Sequence, residues 1–182
     1  MKSLVVYFTQ TNNTKMIAEA MFKVLSESSE ATIETVRRVE LDTLDEYDLL
    51  FVGTPCHDID LAPPAKGFLE RLPKSPSFKL VGFFTHSTYM PDGTDRRKEL
   101  HDQWAGRCIP TFENLCKEKG IELLGLFHCM GKASPPIEHF IHQEIVTDED
   151  EWNEYLPELH KHPTPEDMEN AKKFAKKMIT KL

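Results

Sequence analysis

Apolar residues along this chain follow two alternating rhythms. Short runs at 3–8 ("SLVVYF"), 47–55 ("YDLLFVGTP"), 78–86 ("FKLVGFFTH") and 121–131 ("IELLGLFHCMG") are rich in β-branched, leucine and aromatic residues. Apolar runs of this length, closed by glycine or proline, predict strands buried on both faces. A fifth run, "ATIETVRRV" at 31–39, sets Ile33, Thr35 and Arg37 against Thr32, Glu34 and Val36. That alternation predicts a strand with one exposed side, near a sheet edge.

Between the strands the apolar period lengthens to that of a helix. Ile17, Ala20, Met21, Val24 and Leu25 form one stripe over Asn13–Ser26. Pro63 and Pro64 open a second helix, where a missing N–H costs nothing. Residues 94–120 predict a long helical region, bent or divided by Pro110 and closed at Gly120. The last helix has a sharp start: Thr164 caps, Pro165 suits the first position, and Asp167 completes a capping box. Met168, Ala171, Phe174, Ala175 and Met178 make its buried stripe, with Lys172, Lys173, Lys176 and Lys177 outside. Residues 132–163 carry prolines, histidines and acidic residues, and predict an extended connection with one or two short helices.

Strands alternating with helices predict one α/β domain over 1–182: a doubly wound five-stranded parallel sheet between two helical layers. Ligands of such sheets sit beyond the carboxyl ends of the strands, at the switch point. That rule selects three polar loops: Thr9–Thr14, Thr54–Asp60 and Thr85–Gly93.

Composition narrows the function classes. Of 182 residues, 40% are hydrophobic and 29% charged, the balance of a soluble globular domain. No apolar run approaches the roughly 20 residues of a membrane span, and the opening segment is too short in apolar length for a signal peptide, so a cytoplasmic location is expected. The net charge of −8 argues against nucleic acid as a partner. Acidic residues gather at Asp42–Asp48 and Glu144–Glu158, as solvated faces or as a docking surface for a basic redox partner. Cys56, Cys108, Cys116 and Cys129 match no zinc spacing and read as reduced thiols. His139 with His142 and His160 with His162 lack partners at diagnostic spacing, so no metal site is expected. Trp104 reads as packed within its helical region.

The first loop carries the most chemistry. A phosphate dianion needs several donors converging on a small volume, and a helix N-terminus offers unpaired N–H groups and a positive dipole end. The hydroxyls of Thr9, Thr11 and Thr14 and the amides of Gln10, Asn12 and Asn13 add side-chain donors. Neither a Gly-Lys-Thr triplet nor a GxGxxG pattern is present, which excludes a nucleoside-triphosphate loop and a dinucleotide fingerprint. A phosphate held without lysine or magnesium suits a monophosphate that stays bound.

Here the chain resembles the flavodoxins, whose (Ser/Thr)-x-Thr-Gly-x-Thr loop after the first strand binds the phosphate of flavin mononucleotide. The matching residues are Thr9-Gln10-Thr11-Asn12-Asn13-Thr14, with Asn12 where glycine is usual. "FVGTPCHDIDLAPPAKGFLERL" is similar to the strand, flavin loop and following helix, and "FFTHSTYMPDGT" to the second flavin loop. The closing "HPTPEDMENAKKFAKKM" is similar to the last helix of the family. The resemblance implies a 2-1-3-4-5 strand order and non-covalent FMN. Its phosphate would lie on Thr9, Gln10, Thr11, Asn12, Asn13 and Thr14. Its ring would lie among Thr54, Pro55, Cys56, His57 and Asp58 and Thr85, His86, Ser87, Tyr89 and Gly93, with Tyr89 the aromatic placed to stack. No catalytic residue is assigned. The resemblance implies an electron carrier between redox partner proteins. An FMN-dependent NAD(P)H:quinone-type reductase and a flavin-free interaction domain stand as alternatives, and the oligomeric state stays open.

Overall fold

A computed structural model describes all residues, 1–182. Its strands are β1 (Lys2–Tyr7), β2 (Glu30–Thr35), β3 (Leu49–His57), β4 (Asp60–Leu61), β5 (Lys79–His86) and β6 (Leu123–Met130). Its helices are α1 (Asn13–Ser28), α2 (Pro63–Glu70), α3 (Asp95–Ala105), α4 (Cys108–Lys119), α5 (Pro135–Glu144), α6 (Glu149–Leu159) and α7 (Pro165–Ile179). A short 3-10 segment covers Leu41–Glu46.

The sheet runs β2-β1-β3-β5-β6, all pairs parallel. The five long strands therefore follow the expected winding. The sheet differs from expectation by a sixth strand: β4 turns back antiparallel on the end of β3, pairing Cys56 with Leu61 and His57 with Asp60. β2 lies at the edge and is the least buried strand, as its alternation predicts.

Strand pleating sends alternate residues to opposite faces. Leu4, Val6, Leu50, Val52 and Leu80 face Phe68 of α2 and Phe112 and Cys116 of α4. Val5, Leu49, Phe51, Val81 and Phe83 face Ile17, Met21 and Leu25 of α1 and Ala171, Ala175 and Met178 of α7. This makes three layers. Cys108, Cys116 and Cys129 are buried and Cys56 is half-buried, all as free thiols.

Two local expectations change. The 94–120 region is divided, but at Gly106–Arg107 rather than at Pro110. Pro110 falls in the first turn of α4, where N–H groups lack helical partners anyway, so its ring costs little. The 132–163 connection carries the two helices expected of it, but they fold it back rather than leave it extended. Its two helices close a third apolar cluster of Met130, Ala133, Ile141, Val146, Trp152, Tyr155 and Leu159.

Candidate functional site

The loop leaving β1 is braced from within. Asn12 precedes α1 with φ 66, the left-handed conformation for which glycine is favoured and asparagine tolerated. Asn13 donates from Nδ2 to Thr11 Oγ1 at 2.9 Å and to the Lys132 carbonyl at 2.7 Å. Gly131 permits this approach, because a Cβ there would lie 2.8 Å from Asn13 Nδ2. Buried Thr14 bonds Thr85 through their hydroxyls at 2.9 Å. Asn13 and Thr14 thus brace the loop through their side chains. The backbone is what stays available: no N–H from Thr9 to Lys15 donates to another main-chain group, the first helical bond being Met16 to Asn12.

The second loop is a tight hairpin. Buried Thr54 accepts from the Ala62 N–H at 3.1 Å and donates to the Pro55 carbonyl at 2.9 Å, tying β3 to the start of α2. Asp58 and Ile59 turn the chain with φ 48 and 67, the positive-φ pair a two-residue β-turn requires. Asp60 anchors the return on Lys66 at 2.8 Å. Burial works against the Asp60 charge, yet hydrogen bonds from Lys66, Thr111 and the Leu61 N–H hold its carboxyl below the ordinary range. His57 meets Phe8 edge-on at 6.3 Å. Burial lowers its pKa against the opposing pull of Asp58, so the ring is neutral at neutral pH.

The third loop is held by the chain after β6. Ser87 donates to the Gly131 carbonyl at 2.8 Å, and its own carbonyl accepts from Tyr155 OH. Tyr89 packs against the Tyr155 ring at 4.8 Å and reaches Glu151 at 3.3 Å, with Arg97 over its face. Burial first, and then Glu151, push its phenol up to about 12. Tyr89 clamps this loop to α6.

Together the loops rim a cavity of about 580 Å³ at the carboxyl ends of β1, β3 and β5. That falls within the roughly 300–1,000 Å³ of small-molecule and cofactor sites. Of the residues the sequence selects, Gln10, Thr11, Asn13, Pro55, Cys56, His57, Asp58, Thr85, His86 and Ser87 line it. Thr9, Asn12, Thr14, Thr54, Tyr89 and Gly93 lie outside the lining. The opposite wall is made of residues not chosen as cofactor contacts from the sequence: Trp104 from α3, Gly131–Ser134, and Ile137, Phe140, Ile141 and Ile145 on and after α5. Trp104 and Phe140 meet edge to face at 5.6 Å. Ile137, Phe140 and Ile141 recur at helical spacing after Pro135 and Pro136, a signal present in the sequence.

The surface histidines of the earlier pairs mostly have carboxylate partners. His142 lies 3.1 Å from Glu149, His160 lies 2.7 Å from Glu138, and His162 lies 2.6 Å from Asp167. His139 is exposed. No helix is long and apolar enough to cross a membrane.

A model of the flavodoxin domain family matches residues 4–176. No curated protein sequence matches the chain. Among solved structures, oxidised Flavodoxin 2 from Bacillus cereus is similar at 19% identity and TM-score 0.62, with 100% of each chain covered. A flavodoxin from the domain Archaea is similar at 16% identity and TM-score 0.61, covering 100% of this chain and 98% of its own. A Fusobacterium nucleatum flavodoxin, crystallised with flavin mononucleotide bound, is similar at 13% identity and TM-score 0.51. That match covers 67% of this chain and 68% of the other.

Proposed function

This chain belongs to the flavodoxin domain family, and from that premise we propose that it binds FMN and relays electrons between redox partners. The observation that carries the reading is the pairing of a cofactor-sized cavity with a strand-to-helix loop whose N–H groups are unspent. Those N–H groups, at the positive end of α1, hold a phosphate without a lysine. The residues fit the cofactor: Thr11 and Gln10 face the cavity from that loop, and Pro55–Ile59 and Thr85–Thr88 offer mixed polar and apolar walls for a ring. FMN bound there supplies reversible one- and two-electron chemistry. Neutral His57 sets no positive charge beside it, while Trp104 and Phe140 give the cavity an aromatic wall.

A second reading has one observation of its own. The apolar wall of Ile137, Phe140, Ile141 and Ile145 closes the cavity opposite the loops. A wall there suits an organic substrate held against the ring, as an FMN-dependent NAD(P)H:quinone-type reductase requires.

The test is an anaerobic titration of purified protein with FMN and with riboflavin. Binding of FMN at least about 100-fold tighter than riboflavin, roughly 2.7 kcal/mol, is expected from the phosphate contacts. Equal affinity moves the phosphate elsewhere, and no binding of either ligand leaves only an interaction domain. Loaded protein that stays oxidised in NADH and NADPH, and is reduced in two one-electron stages by a mediator, is the carrier. Rapid bleaching by a nicotinamide alone selects the reductase.

A further inference from the structure

Behind the third loop, three histidines from distant parts of the chain converge. His86 ends β5, His101 lies in α3, and His128 lies in β6. Their ring centroids form a near-equilateral triangle with sides of 5.0, 5.1 and 5.2 Å. One nitrogen of each ring lies within 4.8 Å of the other two. His86 and His101 are each 3% exposed.

Hydrogen bonding fixes what these nitrogens present. His86 Nδ1 lies 3.1 Å from the Thr88 carbonyl, which only accepts, so Nδ1 carries the proton. His86 Nε2 is therefore the acceptor of a 3.0 Å hydrogen bond that His128 donates from Nδ1, and a bound metal takes the place of that shared proton, His128 then carrying its proton on Nε2. A backbone carbonyl that orients an imidazole in this way is the usual outer partner of a metal-bound histidine. His128 is further held by Phe84, stacked on it at 4.9 Å. His101 differs from both. Both its nitrogens are buried and neither has a hydrogen-bond partner. Its nearest carboxylate, Asp102 Oδ1, is 3.5 Å from Nδ1 and is not hydrogen-bonded to it. A buried imidazole with no partner is a rarity that calls for one.

We infer that His86, His101 and His128 form a binding site for a single first-row divalent transition metal of the zinc type. Neutral imidazole is a preferred ligand for this class. Tetrahedral zinc with bonds of about 2.0–2.1 Å places ligand nitrogens about 3.3 Å apart. The His86–His128 pair already stands near that separation, and His101 has to close by no more than about 1.5 Å, within reach of a side-chain rotation. Three histidines leave a fourth position for water, the arrangement of zinc sites that keep an open position. His86 also lines the large cavity, so the ion sits beside it. His86 is shared with the wall proposed for the ring, but the three imidazoles take the ion without a flavin.

The experiment uses the full chain, both FMN-free and after FMN loading. Protein stripped by a chelator is titrated with Zn²⁺ against a chromophoric competitor, and Co²⁺ substitution reports coordination number in the visible spectrum. Uptake of one equivalent in the FMN-free protein is expected. His101→Ala and His128→Ala each should weaken it by more than about 100-fold, beyond the roughly 10–100-fold that losing an outer-shell partner costs, while His139→Ala leaves it unchanged. X-ray absorption at the zinc edge of the unaltered protein should show three imidazoles, a readout that survives if a variant misfolds. No stoichiometric uptake, uptake insensitive to His101→Ala in a folded variant, or an oxygen-only shell overturns the site.

Discussion

Around the cavity three non-glycine residues hold left-handed backbone: Asn12, Asp58 and Ile59. Asn12 follows its residue type, since asparagine visits this region more readily than most. Residue type alone makes its role in place of a glycine legible. Asn12→Gly should keep stability within about 0.5 kcal/mol, whereas Asn12→Val, β-branched at φ 66, should cost about 1–2 kcal/mol by urea unfolding. Equal effects of both substitutions would deny the backbone any say in the loop. Ile59 is not legible in this way. A β-branched residue opposes the conformation it holds, and the pairing of Cys56 with Leu61 and His57 with Asp60 imposes it. Thr14 is a third case: its type suits a phosphate contact, and its burial against Thr85 puts it to structural use.

Elements whose signals are local are legible in the sequence. The α7 start is one. Thr164 accepts from the Asp167 N–H at 3.1 Å, and Asp167 accepts from the Thr164 N–H at 2.6 Å. Asp167 also takes His162, a partner the capping pattern does not contain. Burial opposes the Asp167 charge, but His162 and Thr164 together hold its carboxyl below the ordinary 3.8. The Asp167 hydrogen bond raises His162 above its ordinary 6.5, against burial. The raised histidine stabilises the fold fully below 6.5 and ceases to as pH rises through its folded value. The lowered carboxyl stabilises it above 3.8 and ceases to as pH falls through its folded value. Asp167→Asn should therefore lower Tm most between about pH 4 and 6.5 and progressively less above His162's raised pKa, as melts across pH will show. A Tm difference that does not vary with pH would remove the ion pair from the account. Helices α5 and α6 are only half legible. Their polar residues resemble a connection, and their apolar ones pack chiefly on each other and on Met130.

At the scale of the molecule, the two acidic runs separate. Asp42–Asp48 lies beside Lys2 at the amino ends of the strands, away from the cavity, with Glu46 and Asp48 bound to Lys2 and the N-terminus. Most of the second run lies in α6, which packs on the third loop through Glu151 and Tyr155. There Glu149, Glu151 and Glu158 are paired, while Asp150 and Glu154 are exposed. A basic partner docking near the cavity would meet that second face. Reduction of the FMN-loaded protein by a cationic mediator should slow as salt rises, and reduction by an anionic mediator should quicken. Asp150→Asn with Glu154→Gln should weaken both trends. A salt response of the same sign for both mediators would exclude steering by this face.

Beyond the strand order, which the flavodoxin resemblance implied, the sequence alone determined the layered α/β fold and the edge of the sheet where the loops gather. These depend on apolar periodicity, caps and chain-crossing rules, all of which act over a few residues or a few elements. Tertiary structure decided how the loops are used. It braced Asn13 and Thr14 within their loop, drew Tyr89 out to α6 and set Trp104 and Phe140 on the cavity wall opposite the three loops. It also brought His86, His101 and His128 together from three elements. The physical reason is contact across sequence distance. Partners such as His128 for His86, or the Lys132 carbonyl for Asn13, leave no periodic trace in the chain, and folding alone assembles them.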